Sequence, residues 1–321
     1  IKKNETNIHD MYEKARLAGM QIKCDIHTTI KLYDEELNRR LVKNETLKHD
    51  IHDAIQKEEL LPFYQPKVDV NTGRLTGAEA LARWRKPDGT FISPAEFIPI
   101  CESTGMVVEL DMLIYEKVLR FLQERLQEKQ HAPLVPISVN FSRRHLDDPG
   151  FISKILKKLR EHNVPPSLIE VELTESLFYE NLGSMTDLSN TLQDNGIRIA
   201  MDDFGTGYSS LSMLKDVHID VLKIDQSFLR DGGGINHEKH REDSSAPQET
   251  VQQKKRNIIF KSIVNMATLL KIDIVVEGVE TEENVNLMKQ AGCSVAQGFF
   301  YSRPLAPELF TKIYATGTLS S

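Results

Sequence analysis

Beyond Leu60 the chain alternates short apolar runs with longer stretches in which apolar residues recur every three or four positions, and each pattern predicts its own element. Strands are predicted near 61–68, 75–84, 135–140, 168–173, 196–201, 219–224, 272–276 and 293–298. Helices are predicted near 94–105, 111–130, 150–162, 181–195, 209–216, 257–270, 281–291 and 307–315. This is the rhythm of βα units around a closed parallel sheet, so the expected fold is α/β, a (β/α)8 TIM-like barrel. One connection breaks the rule. The link from Asp69 to Arg74 is too short for the crossover of a dozen or more residues that parallel neighbours need. The first strand is therefore expected to run antiparallel to the second, which puts Gln65 at the end of the barrel where the other strands finish.

Before the barrel, Leu37, Leu41, Leu47, Ile51 and Ile55 recur mostly at intervals of four among charged residues, which predicts an amphipathic connecting helix within 34–58. It serves either as a helix packed on its own domain or as a coiled-coil relay from an upstream domain, with the repeat interrupted at Asn44. Between Asp231 and Asn257, Gly232-Gly233-Gly234 is followed by charged and small polar residues, and a mobile insertion of about 231–257 is expected. His237 and His240 inside it have metal-compatible spacing, but in such a tract histidines are ordinarily solvated. The division is then 1–33, 34–58 and a barrel over 59–321.

Composition narrows the function classes. With 321 residues and 40% hydrophobic content, the chain can form one barrel of about 250 residues and a short extra segment. A net charge of -7 argues against a DNA or RNA polymer as partner, because phosphate backbones select a basic excess. A small anion held by a few local cations stays compatible. Cys24, Cys101 and Cys293 are far apart and lack CxxC spacing, which suggests neither a disulfide framework nor a zinc site and points to a reducing cytoplasm. No run of about 18 apolar residues predicts a membrane span. Ile1-Lys2-Lys3-Asn4 is not the start of a signal peptide, and without an initiator Met the chain reads as a piece of a longer protein whose membrane-attached part would not be visible.

Barrels of this kind do chemistry at the C-terminal ends of their strands, and polar residues interrupt the apolar strands there one after another. In Ala78-Glu79-Ala80-Leu81-Ala82-Arg83-Trp84 the period of two puts Glu79, Leu81 and Arg83 on one face. Asn140 ends the third strand, Glu170 and Glu172 point away from the apolar face of the fourth, and Asp202-Asp203 close the fifth. Lys223 and Asp225, Glu277, and Gln297 follow on the last three. An isolated strand-end acid is ordinarily a helix cap or surface ion pair. A ring of Glu79, Asn140, Glu172, Asp202, Asp203 and Glu277 in one cavity is different, because its five carboxylates would repel severely without bound cations. Oxygen ligands select hard ions, so Mg2+ or Mn2+ fits, and the adjacent aspartates suit a bridged pair about 3.5–4 Å apart of the kind that hydrolyses phosphodiesters.

The motifs, in chain order, are Tyr64-Gln65-Pro66-Lys67, Glu79-Ala80-Leu81-Ala82-Arg83-Trp84, Ser138-Val139-Asn140 and Glu172-Leu173-Thr174-Glu175. They continue with Asp202-Asp203-Phe204-Gly205-Thr206-Gly207-Tyr208-Ser209-Ser210, Lys223-Ile224-Asp225, Glu277-Gly278-Val279-Glu280 and Gln297-Gly298-Phe299. Together they resemble the EAL-domain family of cyclic di-GMP phosphodiesterases, from about Leu60 to Phe310. The resemblance implies hydrolysis of one phosphodiester of cyclic di-GMP to linear pGpG, with two Mg2+ or Mn2+ ions held by Glu79, Asn140, Glu172, Asp202, Asp203 and Glu277. It implies that Lys223 orients or deprotonates the attacking water and that Gln297 supports the water held by the metals. Glu175 is similar to a family residue that holds the loop after the fifth strand, while Gln65, Leu81 and Arg83 resemble substrate contacts. Two alternatives stay open: a catalytically silent cyclic di-GMP receptor signalling through the N-terminal helix, and a barrel acting on another phosphodiester. The family also implies a homodimer through the barrel, its geometry in question because the 231–257 tract is longer than the family's. The segment Met11-Tyr12-Glu13-Lys14-Ala15-Arg16-Leu17-Ala18-Gly19 resembles the last helix of a GGDEF domain, so 1–33 is expected to be the remnant of an upstream GGDEF or sensor domain.

Overall fold

The computed structural model of the chain describes Tyr12, Ala15 and Arg16 and residues 35–128, 134–180, 182–206, 213–229 and 250–318. Most of the expected 1–33 remnant, Cys24, Gly207 to Ser210, His237 and His240 lie outside the described residues.

Helix α1 (Glu35–Gln56) leads into a hairpin of β1 (Leu60–Asp69) and β2 (Leu75–Arg85). The tight link between them is an Asp-initiated turn: the Asp69 carboxylate accepts from the backbone N–H groups of Asn71 and Thr72, and Gly73 supplies a left-handed residue with φ 70°. The two strands pair antiparallel with Gln65 opposite Glu79, as the short link requires. A short β3 (Phe91–Ile92) pairs on the outside of β2. There follow α2 (Pro94–Thr104), α3 (Val107–Gln127), β4 (Ile137–Asn140), α4 (Phe151–His162), β5 (Ile169–Thr174), α5 (Glu175–Glu180), α6 (Leu182–Asp194) and β6 (Arg198–Phe204). The rest is α7 (Met213–Asp216), β7 (Val221–Ile224), α8 (Val251–Leu269), β8 (Asp273–Val276), α9 (Glu282–Ala291), β9 (Val295–Ala296) and α10 (Pro307–Thr316).

Among the described residues eight strands, β1, β2 and β4 to β9, close into a barrel, with β1 antiparallel to both β2 and β9 and all other neighbours parallel. The large apolar core lies between this barrel and its helices; on β5, Ile169, Val171 and Leu173 face outward into it while Glu170 and Glu172 are buried on the inner face. Helix α1 belongs to that core through Leu47, Ile51 and Ala54, and Asp50 pairs with Lys86 at 3.0 Å. Its C-terminal half is thus packed on its own domain.

The short β3 and α5 lie outside the expected set of elements, and the start of α8 also differs from expectation. Residues 251–257 were expected in the polar insertion, yet they form the first two turns of α8. The reason is a capping box: the Thr250 hydroxyl accepts from the Gln253 backbone at 3.1 Å, and the Gln253 side chain accepts from the Thr250 backbone at 2.7 Å. Gln, Lys and Arg are good helix formers with no apolar face to betray them. Among the described residues, no helix is long and apolar enough to cross a membrane.

Candidate active site

The strand period of two arranges the barrel interior in layers. Ala200, Val221 and Val275, with Val295 packed on them, form a small apolar floor. Two positions further along β6 and β7 stand Asp202 and Lys223, and just past the ends of β8 and β9 stand Glu277 and Gln297. The same step leads from Glu170 to Glu172 on β5 and, in the reversed β1, from Lys67 to Gln65.

Lys223 is the centre of the upper layer and is wholly buried. Its Nζ lies 2.7 Å from Glu172 Oε2, 2.8 Å from Glu277 Oε1, 3.1 Å from Asp202 Oδ1 and 3.3 Å from Glu79 Oε2. Asn140 donates to Glu79 Oε1 at 2.7 Å, and Gln297 donates to Glu79 Oε2 at 2.5 Å and to Gln65 Oε1 at 3.2 Å. Asp203 completes the acidic face from a left-handed backbone with φ 58°.

Four carboxylates share one ammonium here, and their proton affinities record the imbalance. Burial raises Glu79 above the usual carboxylate range, helped by Glu172 and Asp202 and opposed by Lys223 and Lys67. Burial raises Asp202 and Asp203 in the same way and pushes Glu277 up to about 8. Burial would raise Glu172 too, but Lys223 and Lys67 together hold it well below the usual range. Burial opposes the charge on Lys223, and Glu172, Glu277, Glu79 and Asp202 outweigh it, so the ammonium is held well above its ordinary value.

Close backbone approaches shape the rim. Gly205, with φ 99°, packs against the Phe228 ring, and Gly298 packs against the backbone of Val279; a Cβ at either position would collide. Glu175 accepts from the Gly205 N–H at 2.9 Å. The resulting cavity, about 420 Å³, is lined by Gln65, Glu79, Leu81, Asp202, Glu277 and Gln297, together with Asp225, Gln226, Gly278, Glu280, Gly298 and Phe299.

The sequence-predicted residues Glu79, Asn140, Glu172, Asp202, Asp203, Lys223, Glu277, Gln297, Gln65 and Leu81 are therefore brought together. Glu175 stands behind the loop. Arg83 is half-buried one step up the strand, and its guanidinium donates to the Ala82 carbonyl at 2.9 Å. Lys67 received no role from the sequence, although it lies two residues from Gln65; its Nζ reaches Glu170 at 2.7 Å and Glu172 at 3.0 Å. The signal available was a lysine two residues from Gln65, on the same face of the strand. Asp225, Gln226, Glu280 and Phe299 reach the cavity from segments after the strands, where periodicity gives no direction.

The profile of the EAL domain family matches residues 48–304. The chain belongs to the EAL domain family. Similar relatives of this EAL domain include PdeG of Escherichia coli, named a probable cyclic di-GMP phosphodiesterase, which is 36% identical over 272 residues and is matched over 84% of this chain and 49% of its own length. MucR of Pseudomonas aeruginosa, named a bifunctional diguanylate cyclase/cyclic di-GMP phosphodiesterase, is 32% identical over 300 residues, 94% of this chain and 41% of its own. A solved structure of the PaMucR phosphodiesterase in complex with c-di-GMP superposes with a TM-score of 0.71 at 32% identity, covering 83% of this chain and 99% of that one. The chain spans less than half the length of the curated relatives it matches.

The donor set of this EAL domain fits divalent cations. Oxygen atoms of Glu79, Glu172 and Asp202 lie within 4.8 Å of one another, as do those of Asp202, Asp203 and Glu277, so the two groups share Asp202. Both are oxygen-only, the chemistry of hard ions. Beside them, the buried Oε1 of Gln297 has no hydrogen-bond partner among the described residues, an acceptor aimed where a water or ligand donor belongs.

Proposed function

We propose that this EAL domain hydrolyses one phosphodiester of cyclic di-GMP to linear 5'-pGpG and thereby lowers the level of the second messenger. The observation that carries this reading is the pair of acid groups joined at Asp202 around Lys223, beside a cavity that Glu79, Asp202 and Glu277 line, in a chain whose relatives are named for that activity.

Two Mg2+ or Mn2+ ions would be held by Glu79, Asn140, Glu172 and Asp202 on one side and by Asp202, Asp203 and Glu277 on the other. When bound, they polarise the phosphodiester, acidify water and neutralise the acid ring. The rest of the work falls to side chains of the chain itself. Lys223, whose Nζ lies within 3.3 Å of Glu79, Glu172, Asp202 and Glu277, is placed to orient the attacking water and to stabilise negative charge gathering on phosphate oxygens. Gln297 Oε1 accepts a hydrogen from that water, while its Nε2 pins Glu79 and Gln65. Leu81 gives the nucleotide an apolar contact, Gln65 an amide, and Arg83 offers a planar fork suited to phosphate once it leaves the Ala82 carbonyl. Glu175 holds the loop that carries Asp203.

A cytoplasmic setting is part of the proposal, and the buried free thiols of Cys101 and Cys293 support it. So is a homodimer, supported by exposed Ile258, Ile259 and Leu269 on α8. An upstream GGDEF or sensor domain is supported by relatives such as MucR, of whose length this chain covers 41%.

The test is incubation of the purified chain with cyclic di-GMP and Mg2+ or Mn2+, against an EDTA control, with nucleotides separated by chromatography. The expected result is pGpG only where metal is present. Tight binding with substrate left intact would replace the enzyme by a receptor.

A further inference from the structure

Among the described residues, the buried Lys67 remains outside the chemistry above. Lys67 is 4% exposed and does not line the active-site cavity; it borders a smaller cavity of about 200 Å³ at the opposite end of the barrel, beside Gly77, Glu170 and Arg198. It cannot touch a nucleotide held against Glu79 and Asp202. It does reach upward, because its Nζ lies 3.0 Å from Glu172 Oε1 while the other oxygen of the same carboxylate faces Lys223 at 2.7 Å. Glu172 is thus gripped from below and from above, one lysine on each oxygen, with no exposed surface of its own.

Across the hairpin from Lys67 stands Gly77, where a Cβ would press on the Pro136 carbonyl oxygen at 3.1 Å and make only ordinary contact with the Lys67 chain at 3.5 Å. Glu170 holds the ammonium from the side at 2.7 Å. Charge therefore alternates through the barrel interior in the order Glu170, Lys67, Glu172, Lys223. A carboxylate with two fixed partners keeps one orientation, and a ligand held in one orientation binds its metal more tightly than one free to turn.

We propose that Lys67 is a positioning residue for the cation site, fixing the Glu172 carboxylate in the plane that serves both Lys223 and the metal. The inference rests on the metal-dependent reading given above. The competing explanation is that Lys67 only neutralises Glu170, and the two differ in what happens when both are removed.

Mn2+ affinity, measured by electron paramagnetic resonance of the free ion without nucleotide, separates them. Thermal melting of each chelated variant reports folding. Lys67→Met is expected to weaken Mn2+ binding about tenfold to a hundredfold, the loss usual for an outer partner of a metal ligand. Glu170→Gln, which leaves the Lys67 to Glu172 contact in place, is expected to bind Mn2+ like the parent chain. The decisive variant is Lys67→Met with Glu170→Gln, in which this layer carries neither charge and which serves where the single lysine variant does not fold. Weak Mn2+ binding in it supports positioning, and parent-like binding overturns it. A parent chain that binds no Mn2+ at all would instead overturn the metal-dependent function, which is a different outcome from parent and variants binding alike.

Discussion

Glu175 accepts a hydrogen bond from the backbone N–H of Gly205 at 2.9 Å, so the first residue of α5 holds the turn that carries Asp202 and Asp203. Asp203 has a left-handed backbone in that turn, and a non-glycine residue keeps such a conformation only when its surroundings enforce it. We expect Glu175→Ala to lower kcat by about a hundredfold, the scale of a misplacement near 1 Å, with a smaller change in KM. Steady-state kinetics with cyclic di-GMP check this; an unchanged kcat would mean that other contacts hold the loop.

Asp202 is the residue common to both acid groups. Asp202→Asn should therefore cost several kcal/mol of transition-state stabilisation, on the order of a thousandfold or more in kcat. It should also lose Mn2+ affinity. Product formation and calorimetric titration of Mn2+ are the two measurements, and parent-like values in both would remove Asp202 from the site.

Stability of the metal-free chain should fall with rising pH. Glu277 is pushed by burial from 4.5 to about 8, so over that window the folded chain holds a proton that the unfolded chain has released. The contribution is fully present below 4.5 and is lost as pH rises through about 8. Glu79, Asp202 and Asp203 are raised as well and act in the same direction. Melting temperatures in EDTA should decline across the window, and Glu277→Gln should flatten the decline. Bound Mn2+ should oppose it, since a cation favours the ionised acids.

Ile51 on α1 has no exposed surface and sits in the same core as the barrel. Ile51→Ala should destabilise the domain by about 2–5 kcal/mol in urea unfolding. A much smaller effect would mean that the helix is not docked in solution.

Several features were legible from the chain alone because their causes are local. The brevity of the Asp69 to Arg74 link forces an antiparallel hairpin whatever else the chain does, and the observed register bears this out. The acids at strand ends could be named because strand periodicity assigns each a face. Helix α8 shows the opposite case: its first two turns depend on the Thr250 and Gln253 cap, and a polar, charged stretch without an apolar stripe reads as loop.

By itself, then, the sequence determined the order of the eight barrel strands and of the longer helices, the reversed first strand and the identity of most polar residues facing inward, since backbone period and link length act over a few residues; the short β3 and α5 and the role of Lys67 were not legible in it. Which of those residues meet was decided only by closure of the sheet. Pairing of β1 with β9 brings Gln65 to Gln297, 232 positions away, and the packing of the inner layers sets Lys67 against Glu170, 103 positions away. Such neighbours come from different strands around a closed ring, and their contacts arise from the stagger of the whole barrel, which no single segment encodes.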